Sequence, residues 1–271
     1  MPQSITVPQV RARKRSAGHP PLVMLTAYDT PGARIADAAG VDLILVGDSL
    51  ANVVLGHADT LQVDIGVMAH HVAAVARAHP RPLVVGDMPW MSYHVSVEDT
   101  VRNAATLVRA GAQAVKLEGG RQRLPMVEAL VAAEIPVMGH LGLTPQSVHA
   151  MGGYKVQAKE TTAAEALFHD AKSLAAAGCF AVVLEGVPDV VAARVTAELD
   201  VPTIGIGAGV ACDGQVLVFH DLLGLSAGTP PKFVRRYAEL GEAATRAVAA
   251  WADDVRSGAF PSEAETYHLP G

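Results

Sequence analysis

Cysteine is nearly absent: Cys179 and Cys212 are the only two in 271 residues. That number excludes a disulfide framework and points to a reducing cytoplasm. Long apolar runs are missing as well. None reaches the ~18 residues that span a bilayer, and no signal-type apolar core follows the first charges. Positive charge is also short, with 21 Lys and Arg against 27 Asp and Glu and a formal net charge of −6. A nucleic-acid binder draws its affinity from an excess of basic side chains on one face, so that class is set aside. The one basic cluster, Arg11-Ala12-Arg13-Lys14-Arg15, reads as a solvated helix face. Aromatic residues make up 4 % of a chain that is 50 % hydrophobic. Its mean hydropathy of +0.27 is rich for a soluble monomer and predicts a homo-oligomer.

What the chain does contain is a repeating unit of short apolar run, loop, helical pattern and glycine. The runs are Leu22–Thr26, Val41–Val46, Pro82–Val85, Ala114–Leu117, Pro136–Met138, Ala181–Leu184, Pro202–Ile206 and Gln215–Phe219. Continuous apolar strands separated by helices predict a parallel sheet buried on both faces. Eight such units account for nearly all of the chain, so the expected fold is α/β, a single-domain (β/α)8 TIM barrel over residues 1–271. Residues 1–21 form an N-terminal extension and 257–271 a tail.

Helix starts and stops support that division. Thr30-Pro31 reads as an N-cap with proline following, and Ser96 with Asp99 and Thr162 with Glu165 resemble capping boxes. Gly40, Gly111 and Gly178 mark helix ends. Two long loops break the rhythm, at 49–62 and at Leu141–Thr161, and Thr229-Pro230-Pro231 is expected to start a long amphipathic helix to about Arg256.

Behind the runs stand polar groups that a packed core does not need, and in parallel sheets ligands gather at the strands' carboxyl ends. Asp48, Asp87 and Glu118 follow three different strands. Such oxygen-only donors suit a hard divalent ion such as Mg²⁺, although each carboxylate alone could equally cap a helix. Lys116 and Glu118 are two apart, which puts them on one strand face, as an anchor for an anionic substrate group or as a structural ion pair. Glu185 closes the sixth run, where a partly desolvated carboxylate can act as a general base or merely sit before a helix. His140 and His220 read as packed strand-end histidines, and zinc is not expected without cysteine or a second histidine close by. Gly205-Ile206-Gly207-Ala208-Gly209 lacks the spacing of a dinucleotide fingerprint.

At these residues the chain resembles the ketopantoate hydroxymethyltransferase family, from about Thr6 to Pro261. The motifs are Leu-Val-Gly-Asp-Ser-Leu at 45–50, Val-Lys-Leu-Glu-Gly-Gly at 115–120, Gly-His-Leu-Gly-Leu-Thr-Pro-Gln-Ser-Val at 139–148, Gly-Gly-Tyr-Lys-Val-Gln at 152–157 and Ile-Gly-Ile-Gly-Ala-Gly at 204–209. Ala51 and Ala158 stand where glycine is common in the family. The resemblance implies a homodecameric barrel with Mg²⁺ held by Asp48, Asp87 and Glu118, a 2-oxoacid contacted by Asp48, Ser49, Asp87 and Lys116, and Glu185 as proton acceptor. It further implies hydroxymethyl transfer from 5,10-methylenetetrahydrofolate to 3-methyl-2-oxobutanoate, through a metal-stabilised enolate, to give 2-dehydropantoate. The competing expectations are a metal-dependent lyase or mutase acting on a 2-oxoacid or phosphoenolpyruvate, a Schiff-base aldolase through Lys116, and a non-catalytic metabolite-binding barrel.

Overall fold

A computed structural model describes the chain except for residues 1–3, 15–17, 154, 227, 270 and 271. Tyr154, within one family motif, and Arg15, within the basic cluster, therefore lie outside the described residues. The chain resolves into two compact units, Met1–Phe219 and His220–Gly271.

The first unit carries a closed barrel of eight parallel strands in chain order: β1 (Leu22–Thr26), β2 (Leu43–Val46), β3 (Leu83–Asp87), β4 (Ala114–Glu118), β5 (Val137–Gly142), β6 (Ala181–Glu185), β7 (Thr203–Ile206) and β8 (Gly214–Leu217). β8 pairs back onto β1, with Leu22 opposite Gly214. The predicted (β/α)8 barrel is thus the observed one. The α-helices of the first unit are α1 (Val7–Arg11), α2 (Thr30–Ala38), α3 (Leu50–Val53), α4 (Ile65–Ala76), α5 (Val97–Ala110), α6 (Leu124–Ala132), α7 (Val148–Met151), α8 (Thr161–Ala176) and α9 (Asp189–Glu198); α10 (Phe219–Leu222) begins at the boundary, and α11 (Leu240–Ser257) belongs to the second unit.

Local chemistry sets most boundaries. Ser96 caps α5 by accepting the Asp99 N–H at 3.1 Å, as the spacing predicts. Gly40, Gly111 and Gly178 all take positive φ, the left-handed backbone that ends a helix at little steric cost when no Cβ is present. Four expectations shift. The cap of α2 is Asp29, which accepts the Gly32 N–H at 2.7 Å, while Thr30 is already helical and donates its hydroxyl to the Ala74 carbonyl. The cap of α8 is Glu160, and Glu165 pairs instead with Arg194 of α9. β8 ends at Leu217, so His220 lies in α10 and not at a strand end. The last helix begins at Leu240 and not near Thr229; the proline pair disfavours helical backbone at Thr229 and Pro230 themselves.

The basic N-terminal cluster is solvated only in part: Arg11 is exposed, as expected, but Arg13 and Lys14 turn inward. Val10 of α1 is fully buried in one core cluster with Leu22, Leu43, Leu83, Ala114 and Ala181, the first residues of five strands. α1 therefore plugs the strands' N-terminal end of the barrel. Arg13 meets Asp42 at 3.3 Å, and Lys14 reaches Asp213 at 2.7 Å and the Thr196 carbonyl. Asp213 is buried and also accepts the Thr203 N–H at 2.9 Å. Replacing Lys14 with methionine removes a cation held 2.7 Å from that buried carboxylate. The expected loss is about 3 kcal/mol, read as a lower urea midpoint at unchanged slope.

Candidate active site

With the N-terminal end plugged, the open mouth is at the carboxyl ends of the strands, and the expected polar residues converge there. Register does the placing. Asp87 pairs with Lys116 across β3 and β4, Glu118 with His140 across β4 and β5, and Gly142 with Glu185 across β5 and β6. Asp48 follows β2 by two residues. Asp48, Asp87, Lys116, Glu118 and His140 are all buried, and Glu185 is partly exposed.

Lys116 Nζ lies at the centre. It is 2.8 Å from Asp87 Oδ1, 3.7 Å from Glu118 Oε1 and 3.3 Å from His140 Nδ1. Lys116 and Glu118 do share one strand face, as their spacing requires. His140 bridges two acids, with Nδ1 3.3 Å from Glu118 Oε1 and Nε2 3.2 Å from Glu185 Oε2. Asp87 Oδ2 accepts the Asp48 N–H at 3.2 Å. Ser49 sits beside its partner Tyr28, hydroxyl to hydroxyl at 2.9 Å.

Two further residues complete the pocket. Gln146 donates its Nε2 to Asp48 Oδ2 at 2.9 Å and to the Met88 carbonyl at 3.0 Å, and its backbone N–H to Glu118 Oε2 at 3.1 Å. Tyr93, wholly buried, donates its hydroxyl to Gln146 Oε1 at 2.6 Å and accepts the Glu118 N–H. Sequence reasoning singles out neither, nor does it give His140 a role. Gln146 and His140 both lie in the 139–148 motif, which carries a signal for them. Tyr93 leaves none.

Electrostatics explain how so many charges stay buried. Burial pushes the Asp48 carboxyl well above its ordinary range, and the charges of Asp87 and Glu118 push it further. Asp87 also rises on burial, against the pull of Lys116. Burial would raise Glu118 too, but Lys116 and His140 outweigh it and the carboxyl ends low. His140 is opposed by burial and by Lys116, yet its contacts with Glu118 and Glu185 lift it to about 9. The acids Asp48, Asp87, Glu118 and Glu185 outnumber the cations Lys116 and His140 by two. A negative excess in a water-poor pocket calls for a divalent cation or for protonation.

The donor set fits a cation in part. Asp87 Oδ1 and Glu118 Oε1 are buried, with the Lys116 ammonium 2.8 and 3.7 Å away. Among the described residues, however, no three His, Cys, Asp or Glu side chains stand grouped as a ready ligand set. Lys116 occupies the space between Asp87 and Glu118. Asp48 and Asp87, joined through a backbone N–H, are the oxygen donors that remain adjacent.

A parallel barrel whose carboxyl-end mouth concentrates acids around one lysine has the arrangement of a (β/α)8-barrel enzyme, whose active sites lie at that end of the strands. Solved structures agree on the fold. The chain superposes with a TM-score of 0.62 on 2,3-dimethylmalate lyase, a PEP mutase/isocitrate lyase superfamily member, at 19 % identity over 98 % of this chain and 93 % of that one. Phosphonopyruvate hydrolase gives the same TM-score at 15 % identity, over 97 % and 92 %.

The chain belongs to the ketopantoate hydroxymethyltransferase family, which it matches over residues 4–263. It is 55 % identical to 3-methyl-2-oxobutanoate hydroxymethyltransferase 2 of Bradyrhizobium diazoefficiens across 99 % of this chain and 91 % of that protein. It is 58 % identical to the enzyme of the same name from Ignicoccus hospitalis across 89 % and 92 %, and 51 % identical to that of Pelobacter propionicus across 99 % of both. Ala158, where the resemblance led to an expectation of glycine, takes φ +54°, a left-handed backbone that costs a residue with a Cβ roughly 1–2 kcal/mol.

Proposed function

We propose that this chain transfers a hydroxymethyl group from 5,10-methylenetetrahydrofolate to 3-methyl-2-oxobutanoate, giving 2-dehydropantoate, with Mg²⁺ as its resident cation. The observation that carries this reading is the cluster of Asp48, Asp87 and Glu118 around Lys116, with Glu185 at the same mouth across His140.

Asp48 and Asp87 would hold the cation, since Mg²⁺ takes one or two carboxylates and keeps waters for substrate oxygens to replace. Glu118, engaged by Lys116, His140 and the Gln146 N–H, adds its charge to that site more than a ligand oxygen. When bound, the cation supplies Lewis-acid polarisation of the 2-oxoacid. Lys116 orients the acid and lowers the energy of the negative charge that develops on it, with Ser49 and Asp48 bordering the same pocket. Glu185 accepts the proton from C3, and His140 holds that carboxylate in place at 3.2 Å. Gln146 and Tyr93 fix Asp48 and Glu118 by hydrogen bonds, so the acids do not rearrange as charge moves.

A homo-oligomer, decameric in the family's manner, is part of this reading. It is supported by the second unit, where α11 buries no residue and exposes Val248, Trp251 and Val255. Free buried thiols at Cys179 and Cys212 support a reducing cytoplasm.

The test is donor-dependent formation of 2-dehydropantoate, with and without EDTA. Turnover that requires both the folate and a divalent cation is expected. Cleavage of the 2-oxoacid without folate would instead mark a lyase, and full activity in EDTA together with borohydride trapping at Lys116 would mark a Schiff-base aldolase.

A further inference from the structure

Arg123 is an arginine out of balance. Of the partly buried arginines among the described residues, Arg13 and Arg236 each meet a carboxylate, at 3.3 Å in both cases. Arg123 meets none and donates no side-chain hydrogen bond; its buried Nε lacks a partner, as those of Arg13 and Arg236 do, so the missing carboxylate is what sets it apart. A guanidinium drawn partly out of water without a counter-ion loses hydration for nothing, unless an anion arrives to complete it.

Its position is well defined. It closes the 3₁₀ turn Arg121–Arg123 that follows β4, five residues beyond Glu118 and therefore at the open mouth. Its stem lies over Gly119, where an added Cβ would press on Arg123 Cγ at 3.0 Å. Its guanidinium rests 5.4 Å from the centre of the Tyr93 ring. The neighbouring Arg121 is satisfied by Asp170 at 2.6 Å. On the same tyrosine lies His94, rings 4.3 Å apart, with its Nδ1 also buried and unpartnered. Burial and the adjacent Arg123 charge pull His94 down to about 4, so it stands neutral and can donate one N–H. The rim loop that carries His94 also exposes Trp90 and Met91, flat or polarisable apolar surface suited to an aromatic ligand.

Tyr93 separates this cluster from the reacting pocket. Its hydroxyl reaches inward to Gln146 and Glu118, while Arg123 and His94 pack on its ring. The single carboxylate of a small 2-oxoacid is already served by Lys116. The other substrate in the reading above is an aromatic molecule with a carboxylate-bearing glutamate tail. We propose that Arg123, with His94, is the subsite that receives a tail carboxylate of the folate donor. The inference rests on the proposed function and names where that donor's anionic end is held. Its rival is a purely structural Arg123 that props Tyr93 by a cation–π contact.

The experiment titrates the full chain, wild type and Arg123→Met, with tetrahydrofolate and with tetrahydropteroate, which has the same ring system but no glutamate. Exchange of the C3 hydrogen of 3-methyl-2-oxobutanoate in D2O with Mg²⁺, without folate, is followed in parallel. Wild type is expected to bind the glutamate-bearing form about tenfold more tightly. Arg123→Met should bind both forms alike, with its tail-free affinity and C3 exchange close to wild type. Arg123→Lys should recover about threefold of the preference, as a point charge without the fork. A preference that survives in Arg123→Met overturns the subsite alone. So does a loss of exchange and of tail-free binding in a folded Arg123→Met, which marks the structural prop, or a wild type that ignores the tail. A wild type that binds neither form overturns the subsite and the proposed function together.

Discussion

Glu185→Gln is expected to slow exchange of the C3 hydrogen of 3-methyl-2-oxobutanoate by about 10²- to 10⁴-fold while leaving the affinity for the 2-oxoacid close to wild type. The substitution keeps the shape and a hydrogen-bonding oxygen but removes the capacity to take a proton. The backbone is held independently of the side chain. The Glu185 carbonyl accepts the Leu143 N–H at 2.7 Å, and the next N–H, of Gly186, donates to the Ile206 carbonyl at 2.9 Å. The substituted amide therefore stays at the same point of the mouth, facing His140, and the remaining acids and Lys116 keep their places. Loss of the C3 resonance in D2O, followed by NMR without folate, isolates this step from hydroxymethyl transfer. Exchange at a near-normal rate in Glu185→Gln would remove Glu185 from the base role. Loss of 2-oxoacid binding together with exchange would make it a binding residue instead.

How much of this is legible without coordinates differs by element, for physical reasons. β1 is readable to the residue and the other strands to within a few positions, because strands buried on both faces leave unbroken apolar runs. The strand-end acids are readable as interruptions of those runs. What is not readable is contact across the barrel. Gln146 and Asp48 touch although they are 98 positions apart, and nothing local in either segment announces it. His140 is visible as a strand-end polar residue, but its role depends on Glu118 lying beside it in register, and the stagger of a closed barrel is a property of all its strands together. The basic cluster misleads for a related reason. Its counter-ions, Asp42 and Asp213, stand just before β2 and β8, and they become neighbours of α1 only once the sheet has closed. The short α10 reads as the end of β8 because Phe219 continues the apolar run, whereas the pairing with β1 stops at Leu217.

The same dependence on assembled charge makes Asp87→Asn the second large effect. Asp87 is the acid that touches both halves of the pocket: Oδ2 accepts the Asp48 N–H, and Oδ1 lies 2.8 Å from Lys116 Nζ. Asparagine fits the same space and can keep the first contact. It cannot keep the second, since an amide beside an ammonium replaces the closest counter-charge of Lys116 by a dipole. One of the two adjacent oxygen donors proposed for Mg²⁺ loses its charge at the same time. Supporting groups alone are worth 10- to 100-fold in metal affinity, so a direct ligand should cost about 100-fold or more. Binding of the 2-oxoacid should weaken in parallel, because the acid is held jointly by the cation and by Lys116. Stability is expected to move little, because two effects oppose each other: Lys116 loses its closest counter-charge, though it keeps Glu118 at 3.7 Å, while the remaining acids repel one another less. The pocket carries more negative than positive charge, Asp48 is pushed up partly by Asp87 itself, and removing one acid relieves that repulsion. Mn²⁺ titration followed by electron paramagnetic resonance, calorimetry with the 2-oxoacid and thermal unfolding in EDTA read the three quantities separately. Weaker metal and weaker acid with little-changed unfolding temperature is the expected pattern. An unchanged metal affinity would move the cation away from Asp87, leaving that carboxylate as the partner of Lys116 only.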